Sequence, residues 1–158
     1  MRAEFAQHLH IEMKKNSEIY LLIGDVGYGI LDNIRKDFPK RAINVGSSEQ
    51  LLIGAASGLA LQGKIPVCYT ITPFLILRPF EFIRNYLQEE GIGVKLVGSG
   101  RNYDYKEAGH THHAHDIPKI LSCLPKVKQF SPASVQDLNT IFEEFLYSNS
   151  PAFLSLSR

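Results

Sequence analysis

Val45-Gly46-Ser47-Ser48-Glu49-Gln50-Leu51 opens a run that continues through Leu52-Ile-Gly-Ala-Ala-Ser-Gly-Leu-Ala-Leu-Gln-Gly63 into Lys64-Ile-Pro-Val67. Serines followed by an acid mark a helix start, and the glycine marks its end. The spacing predicts a helix over Ser48 to Gln62 and a buried strand over Ile65 to Ile71. Glu49 sits just inside the helix start and has two readings. It is a first-turn acid favoured by the helix dipole, with Ser47 or Ser48 as cap. Or it is a carboxylate half-buried at a subunit seam, holding a proton or a strong hydrogen bond for catalysis. Gly54, Ala55, Ala56, Gly58 and Ala60 give the helix a thin face, suited to close packing on a sheet or at a dimer seam.

Outward from this run, strands and helices alternate. Apolar residues Phe5, Leu9 and Met13 predict a helix over Ala3 to Lys15, and Ile19–Ile23 reads as a buried strand closed by Gly24-Asp25. A turn or short helix follows from Ile30 to Phe38, stopped by Pro39, and a strand from Arg41 to Val45. Beyond the central helix and strand, Phe74 to Glu90 reads as a helix interrupted near Pro79. A strand is expected over Gly93 to Gly98, then a long polar loop from Ser99 to His115. A short helix (Asp116 to Leu124), a strand (Val127 to Phe130), a helix capped by Ser134 (to Tyr147) and a strand (Pro151 to Leu156) complete the chain. This alternation implies one α/β domain over residues 1–158, a three-layer α/β/α sandwich on a mostly parallel sheet.

The bulk properties narrow the function. A chain of 158 residues is long enough for one real core, and 44% hydrophobic with 21% charged residues is ordinary for a soluble globular protein. A formal net charge of +1, with no basic patch or acidic tail, argues against nucleic acid or membrane as partner. Cys68 and Cys123 are far apart and form no CxxC, which suits thiols buried as small hydrophobes in a reducing compartment. No signal peptide or membrane span is apparent, so a cytoplasmic location is expected.

Four of the six histidines (His110, His112, His113 and His115) fall in the polar loop. Such a cluster can bind a metal, lie in solvent, or serve an active site. The spacing is no zinc signature and no cysteine is near, and imidazole also moves protons near neutral pH.

Several stretches together resemble one family. They are Gly24-Asp25, Phe38-Pro-Lys-Arg-Ala-Ile-Asn-Val-Gly46, Ser48-Glu-Gln50, Gly54-Ala-Ala-Ser-Gly-Leu-Ala60 and Gly63-Lys-Ile-Pro-Val67. They continue with Phe74-Leu-Ile-Leu-Arg-Pro-Phe-Glu-Phe-Ile-Arg84, Gly109-His-Thr-His-His113 and Pro151-Ala-Phe-Leu-Ser-Leu-Ser-Arg158. Their order and spacing resemble the pyrimidine-binding domain of transketolase-like thiamine diphosphate enzymes over essentially the whole chain. The resemblance implies that Glu49 hydrogen-bonds the cofactor's pyrimidine nitrogen and activates the ring, which then acts as an electron sink. It implies that Phe74 stacks on the ring, with Ile71 and Ser48 completing the cofactor-facing set. Ile71 and Leu77 stand where the family often has further aromatics. His112 is implied as the catalytic histidine contacting substrate, with His113 and His110 beside it. Ala108 replaces a usual aspartate and His110 a proline. The missing acidic contact would come from Asp104 or Glu107, or be absent. Arg78 and Arg84 fit the family's helix, and a solvated face is the expected role of each.

The resemblance also implies what another polypeptide must supply. Gly24-Asp25-Val26 lacks the second glycine of a diphosphate-binding Gly-Asp-Gly signature, so Asp25 is not assigned as a metal ligand. The diphosphate-binding domain and the third domain of full-length transketolases are absent from this stretch. The expectation is one subunit of a split enzyme, an α2β2 assembly whose partner holds Mg2+ and the diphosphate. The leading activity is two-carbon ketol transfer between sugars or sugar phosphates. The alternatives are a thiamine-dependent decarboxylase or acyloin synthase similar to 1-deoxyxylulose-5-phosphate synthase, and a non-catalytic partner domain with this fold.

Overall fold

Strands covered on both faces must be apolar along their whole length rather than alternating. The central strands come close to this: β1 (Ile19–Ile23), β3 (Ile65–Ile71), β4 (Lys95–Ser99) and β6 (Ala152–Leu156) are buried almost throughout, with Thr70, Lys95, Ser99 and Ser155 as buried polar exceptions. Two short strands, β2 (Ala42–Asn44) and β5 (Lys128–Phe130), form the edges. In the computed structural model, which describes residues 1–158, the six strands pair in the order β2-β1-β3-β4-β6-β5. Every pairing is parallel. The expected mostly parallel sheet is therefore wholly parallel.

Seven helices cover it. In chain order they are α1 (Arg2–Lys15), α2 (Asp32–Asp37), α3 (Glu49–Leu61), α4 (Thr72–Leu77), α5 (Phe80–Phe82), α6 (Ile117–Leu121) and α7 (Val135–Tyr147). One core packs α1, α2 and α7 on the sheet through Phe5, Leu9, Leu21, Tyr69, Phe142 and Leu154. The other packs α3, α4 and α6 through Leu52, Ile53, Cys68, Leu75, Leu121 and Phe153. The three-layer arrangement follows from these two cores.

Some expectations change in detail. The helix expected over Phe74 to Glu90 is three pieces, because Pro79 has no N–H to continue α4 and the stretch after α5 winds as a π-helix over Ile83–Glu89. Cys68 is buried as expected, but Cys123 is exposed. The small-residue face of α3 is shared: Ala56 is buried, Gly54 faces the Phe82 ring, and Gly58 has open space beside it. The Ser99 to His115 loop is ordered by 3-10 turns at Lys106–Ala108 and His110–His112 and by a bridge between Asn102 and Ala114.

At the amino end of the sheet, β4 begins with a buried lysine. Lys95 is 1% exposed, and its Nζ donates to the carbonyls of Ser148 (2.5 Å) and Ser150 (2.6 Å) and to Ser148 Oγ (3.1 Å). Those acceptors lie at the end of α7, where a cation is favoured by the helix dipole. Burial pushes the Lys95 ammonium down to about 8. At the opposite, carboxyl end, β2 leads to Glu49, β3 to Phe74 and β4 to the histidine loop. The crevice outside the carboxyl ends of the strands is where open parallel sheets bind ligands.

Candidate active site

The approach to Glu49 is fixed by a small polar network. Asn44 Oδ1 accepts the N–H groups of Asp25 (3.1 Å) and Gly46 (3.0 Å), while its Nδ2 donates to Asp25 Oδ1 (3.0 Å). The Tyr28 hydroxyl donates to the same Asp25 oxygen at 2.6 Å. The hydrogen bonds from Tyr28 and Asn44 hold the Asp25 carboxyl below the usual carboxylate range. Asp25 is thus occupied with tying the end of β1 to the end of β2. Gly46, at φ +75°, then turns the chain into α3 in a conformation that side chains disfavour.

Glu49 is the first residue of α3 and is 3% exposed. Ser48 occupies the N-cap position, yet its hydroxyl makes no capping bond, so the serine-capping reading fails. The carboxylate is instead bound by Arg78, whose Nη1 donates to Oε2 at 3.0 Å and to Oε1 at 3.1 Å. The guanidinium carbon of Arg78 lies 3.8 Å from the centroid of Phe74, a close cation–π contact. Phe74 meets His112 edge-on, with ring centroids 4.8 Å apart and planes at 68°. Carboxylate, guanidinium, phenyl and imidazole therefore form one continuous line. Ser47, Ser48 and Gln50 join Glu49 and Arg78 around an open depression above it. Ile71 ends β3, half-buried, and heads the turn that carries Phe74.

Arg78 is the residue that the sequence reading misplaced. Its side chain is 46% exposed, so a solvated face holds in part, but its guanidinium tip is committed to Glu49. One signal was available: Arg78 follows Phe74 by four residues, one helical turn, which puts both on one face. Arg84, in contrast, is exposed as expected.

The histidine loop is held from beneath by Tyr105. Its hydroxyl accepts from Arg2 Nη1 at 2.9 Å and pairs with Ser99 Oγ at 2.8 Å. Its ring lies against Gly100, where φ is +88° and a Cβ would come within 2.3 Å of the ring. Asp104 Oδ2 accepts the backbone N–H groups of Arg101 and Arg158, each at 2.9 Å. Arg101 binds Ser155 through its hydroxyl, at 3.1 Å, and its carbonyl. Asp104 is therefore engaged in closing the loop, while Glu107 stands in solvent, its side chain 87% exposed.

The four loop histidines do not act as a unit. His112 faces Phe74, and Thr111 Oγ1 lies 3.1 Å from its Nδ1. His113 and His115 pack instead on Tyr103, with ring centroids 4.9 Å away in both cases. The Nε2 atom of His113 is buried without a partner. His110 is exposed. Of the three substrate-facing histidines expected, the structure brings only His112 onto the line that contains Glu49 and Phe74.

Glu49 and Phe74 suit a flat nitrogen heterocycle. A dry carboxylate can accept a ring or amine N–H, and an aromatic face beside it can stack. The fit has a direct sign here, because the flat N–H donor of Arg78 already engages both surfaces.

A buried carboxylate, an aromatic face and an imidazole outside the carboxyl ends of a parallel sheet make a candidate small-molecule site. All 158 residues match the model of the transketolase pyrimidine-binding domain, and the chain belongs to that family. It is 33% identical over 121 residues to one subunit of the apulose-4-phosphate transketolase of Actinobacillus succinogenes, covering 77% of this chain and 39% of the relative. It is 31% identical over 123 residues to a 6-deoxy-6-sulfo-D-fructose transketolase subunit of a Clostridium species, covering 78% and 38%. Among solved structures, a split-gene transketolase described as an inactive beta4 tetramer superposes with a TM-score of 0.86. That pair is 28% identical, over 99% of this chain and 51% of the other. The chain thus spans less than half the length of these two curated relatives. No helix is long and apolar enough to cross a membrane.

Proposed function

We propose that this chain supplies the pyrimidine-activating part of a thiamine diphosphate enzyme of transketolase type, completed by a partner subunit that holds the diphosphate and Mg2+. The observation that carries the reading is the line from buried Glu49 across Phe74 to His112. The family match and the names of the related subunits support it. When bound, thiamine diphosphate supplies a nucleophilic carbon and an electron sink. Glu49 holds a hydrogen bond to the pyrimidine nitrogen, and its burial keeps water from competing for that bond. Phe74 stacks on the ring and fixes its plane. His112 reaches the substrate side of Phe74 and exchanges protons with the carbonyl oxygen being attacked or released. Ser48 and Ile71 border the ring, and His113 and His110 set the outer rim of the substrate entrance.

The reaction is transfer of a two-carbon ketol unit between sugars or sugar phosphates, in an α2β2 assembly. The test is native mass spectrometry of the complex isolated gently from its own cells, followed by product analysis. A second subunit together with mass for thiamine diphosphate and one magnesium ion is expected, and ketol transfer without carbon dioxide release. Carbon dioxide from an α-keto acid would move the assignment to a decarboxylating synthase. A complex whose activity is unchanged by Glu49→Gln would make this a non-catalytic domain.

A further inference from the structure

We propose that Arg78 is an internal placeholder for the cofactor's aminopyrimidine: in the cofactor-free chain it pairs Glu49 and covers Phe74, and it must swing out before the ring can bind. The inference rests on the assignment of Glu49 and Phe74 to the cofactor. Its basis is competition for surfaces. Arg78 Nη1 takes both oxygens of Glu49, at 3.0 and 3.1 Å, and the guanidinium lies 3.8 Å from the Phe74 centroid. A guanidinium is flat, delocalised and rich in N–H donors, and it stacks on aromatic faces. It presents to these two side chains the same features as a protonated aminopyrimidine. Both groups cannot occupy one carboxylate and one ring face at once.

The arrangement solves a physical problem of the unloaded subunit. A carboxylate that is 3% exposed is costly without a partner. Arg78 supplies one and keeps the pocket polar and shaped. Its side chain is still 46% exposed, so it can rotate into solvent while losing little burial. Pro79 follows it directly, and α4 ends just before it, so the backbone is fixed and release is a side-chain motion. Arg78 borders the open depression with Ser47, Ser48 and Gln50, which gives it room to turn. Loading is then an exchange of one flat donor for another, with Glu49 paired before and after.

Two measurements test this. Thermal unfolding of the chain is compared for wild type, Arg78→Ala, Glu49→Gln and the double variant. Arg78→Ala is expected to lower the midpoint, and most of that loss should vanish in the Glu49→Gln background; additive effects would overturn the pairing. Calorimetric titration of thiamine diphosphate with Mg2+ into the assembled enzyme is then run for wild type and Arg78→Ala. The variant is expected to bind roughly three- to tenfold more tightly, because no competing state must first be displaced. Arg78→Lys, which keeps the charge but loses the flat stack, should fall between the two. Equal or weaker binding by Arg78→Ala, with wild type binding normally, would overturn the placeholder and leave the cofactor assignment standing. No binding by either protein would overturn both.

Discussion

Two charges are buried against this sheet, Lys95 at its amino end and Glu49 beyond its carboxyl end, and they are satisfied in opposite ways. At the amino end, Lys95 is surrounded by oxygens of the Ser148–Ser150 turn, two of them backbone carbonyls that cannot leave without unfolding the end of α7. At the carboxyl end, Glu49 is held by a single side chain that is nearly half in solvent. The first charge is fixed by the fold and serves it. The second, on the proposed reading, has a partner that exchanges for another. Burial alone then does not separate a structural charge from a working one; the exposure of the partner does.

The largest expected effect lies at the exchangeable end. Glu49→Gln keeps the shape and one acceptor oxygen but lacks the carboxylate that, on the proposed function, activates the ring. Turnover of the assembled enzyme should fall on the order of a thousandfold, the range of a lost proton-transfer partner. Steady-state kinetics with the native partner subunit measures it. Activity within a factor of a few of wild type would place Glu49 with Lys95 as a structural charge and dissolve the contrast.

The opposite end makes a pH prediction. Burial lowers the Lys95 pKa to about 8 in the folded chain, against 10.5 for the free group. Between these values the unfolded chain binds the proton more tightly, so folding gains stability as pH rises through the window. The penalty is fully present below pH 8 and relieved above 10.5, worth about 3 kcal/mol in all. A neutral amine still donates to the Ser148 and Ser150 carbonyls, so the turn survives deprotonation. Urea unfolding of wild type and Lys95→Met from about pH 7.5 to 10.5 should show wild type gaining on the variant. A flat difference would mean the three oxygens solvate the charge as fully as water does.

The same distinction explains what was readable in the sequence. The α/β order was legible because strands such as Ile19–Ile23 are continuous apolar runs and Gly63 and Pro79 punctuate the helices. Glu49, Phe74 and His112 were legible as a set through the resemblance of their flanking motifs. What was not legible depends on distant pairing. Lys95 reads as a polar residue in a strand, and nothing local says that the end of α7 will deliver carbonyls to it. Arg78 reads as a surface arginine until α3 is seen to place Glu49 opposite it. The division of the histidines between Phe74 and Tyr103 depends on a loop bridge between Asn102 and Ala114 that has no sequence signature.

The loop that carries His112 belongs with the fixed class, and it offers two smaller tests. Gly100→Ala places a Cβ on a residue with φ +88° and within 2.3 Å of the Tyr105 ring. Backbone strain and the displaced ring together should cost about 2 kcal/mol of unfolding free energy. Because Tyr105 must move, the Michaelis constant should rise along with the loss of stability. A loss of stability alone would show that the loop's working part is insulated from its anchor.

Tyr105→Phe is the mildest cut, since the ring and its packing remain and only the hydroxyl goes. That hydroxyl bonds Arg2 of α1 and Ser99 at the end of β4, so it pins the loop to two elements at once. Arg2 and Ser99 are not both sealed from water: Ser99 is buried, whereas Arg2 is half-buried and can be rehydrated. One bond is therefore lost outright and the other is replaced by water, for about 1 kcal/mol in total. At this chain length that is a fall of roughly 2–4 °C in the melting midpoint. Glu49 and Arg78 lie outside this network, so cofactor affinity should not change. A change in cofactor affinity with Tyr105→Phe would show that the loop and the Glu49 pocket communicate through Phe74, which touches both His112 and Arg78.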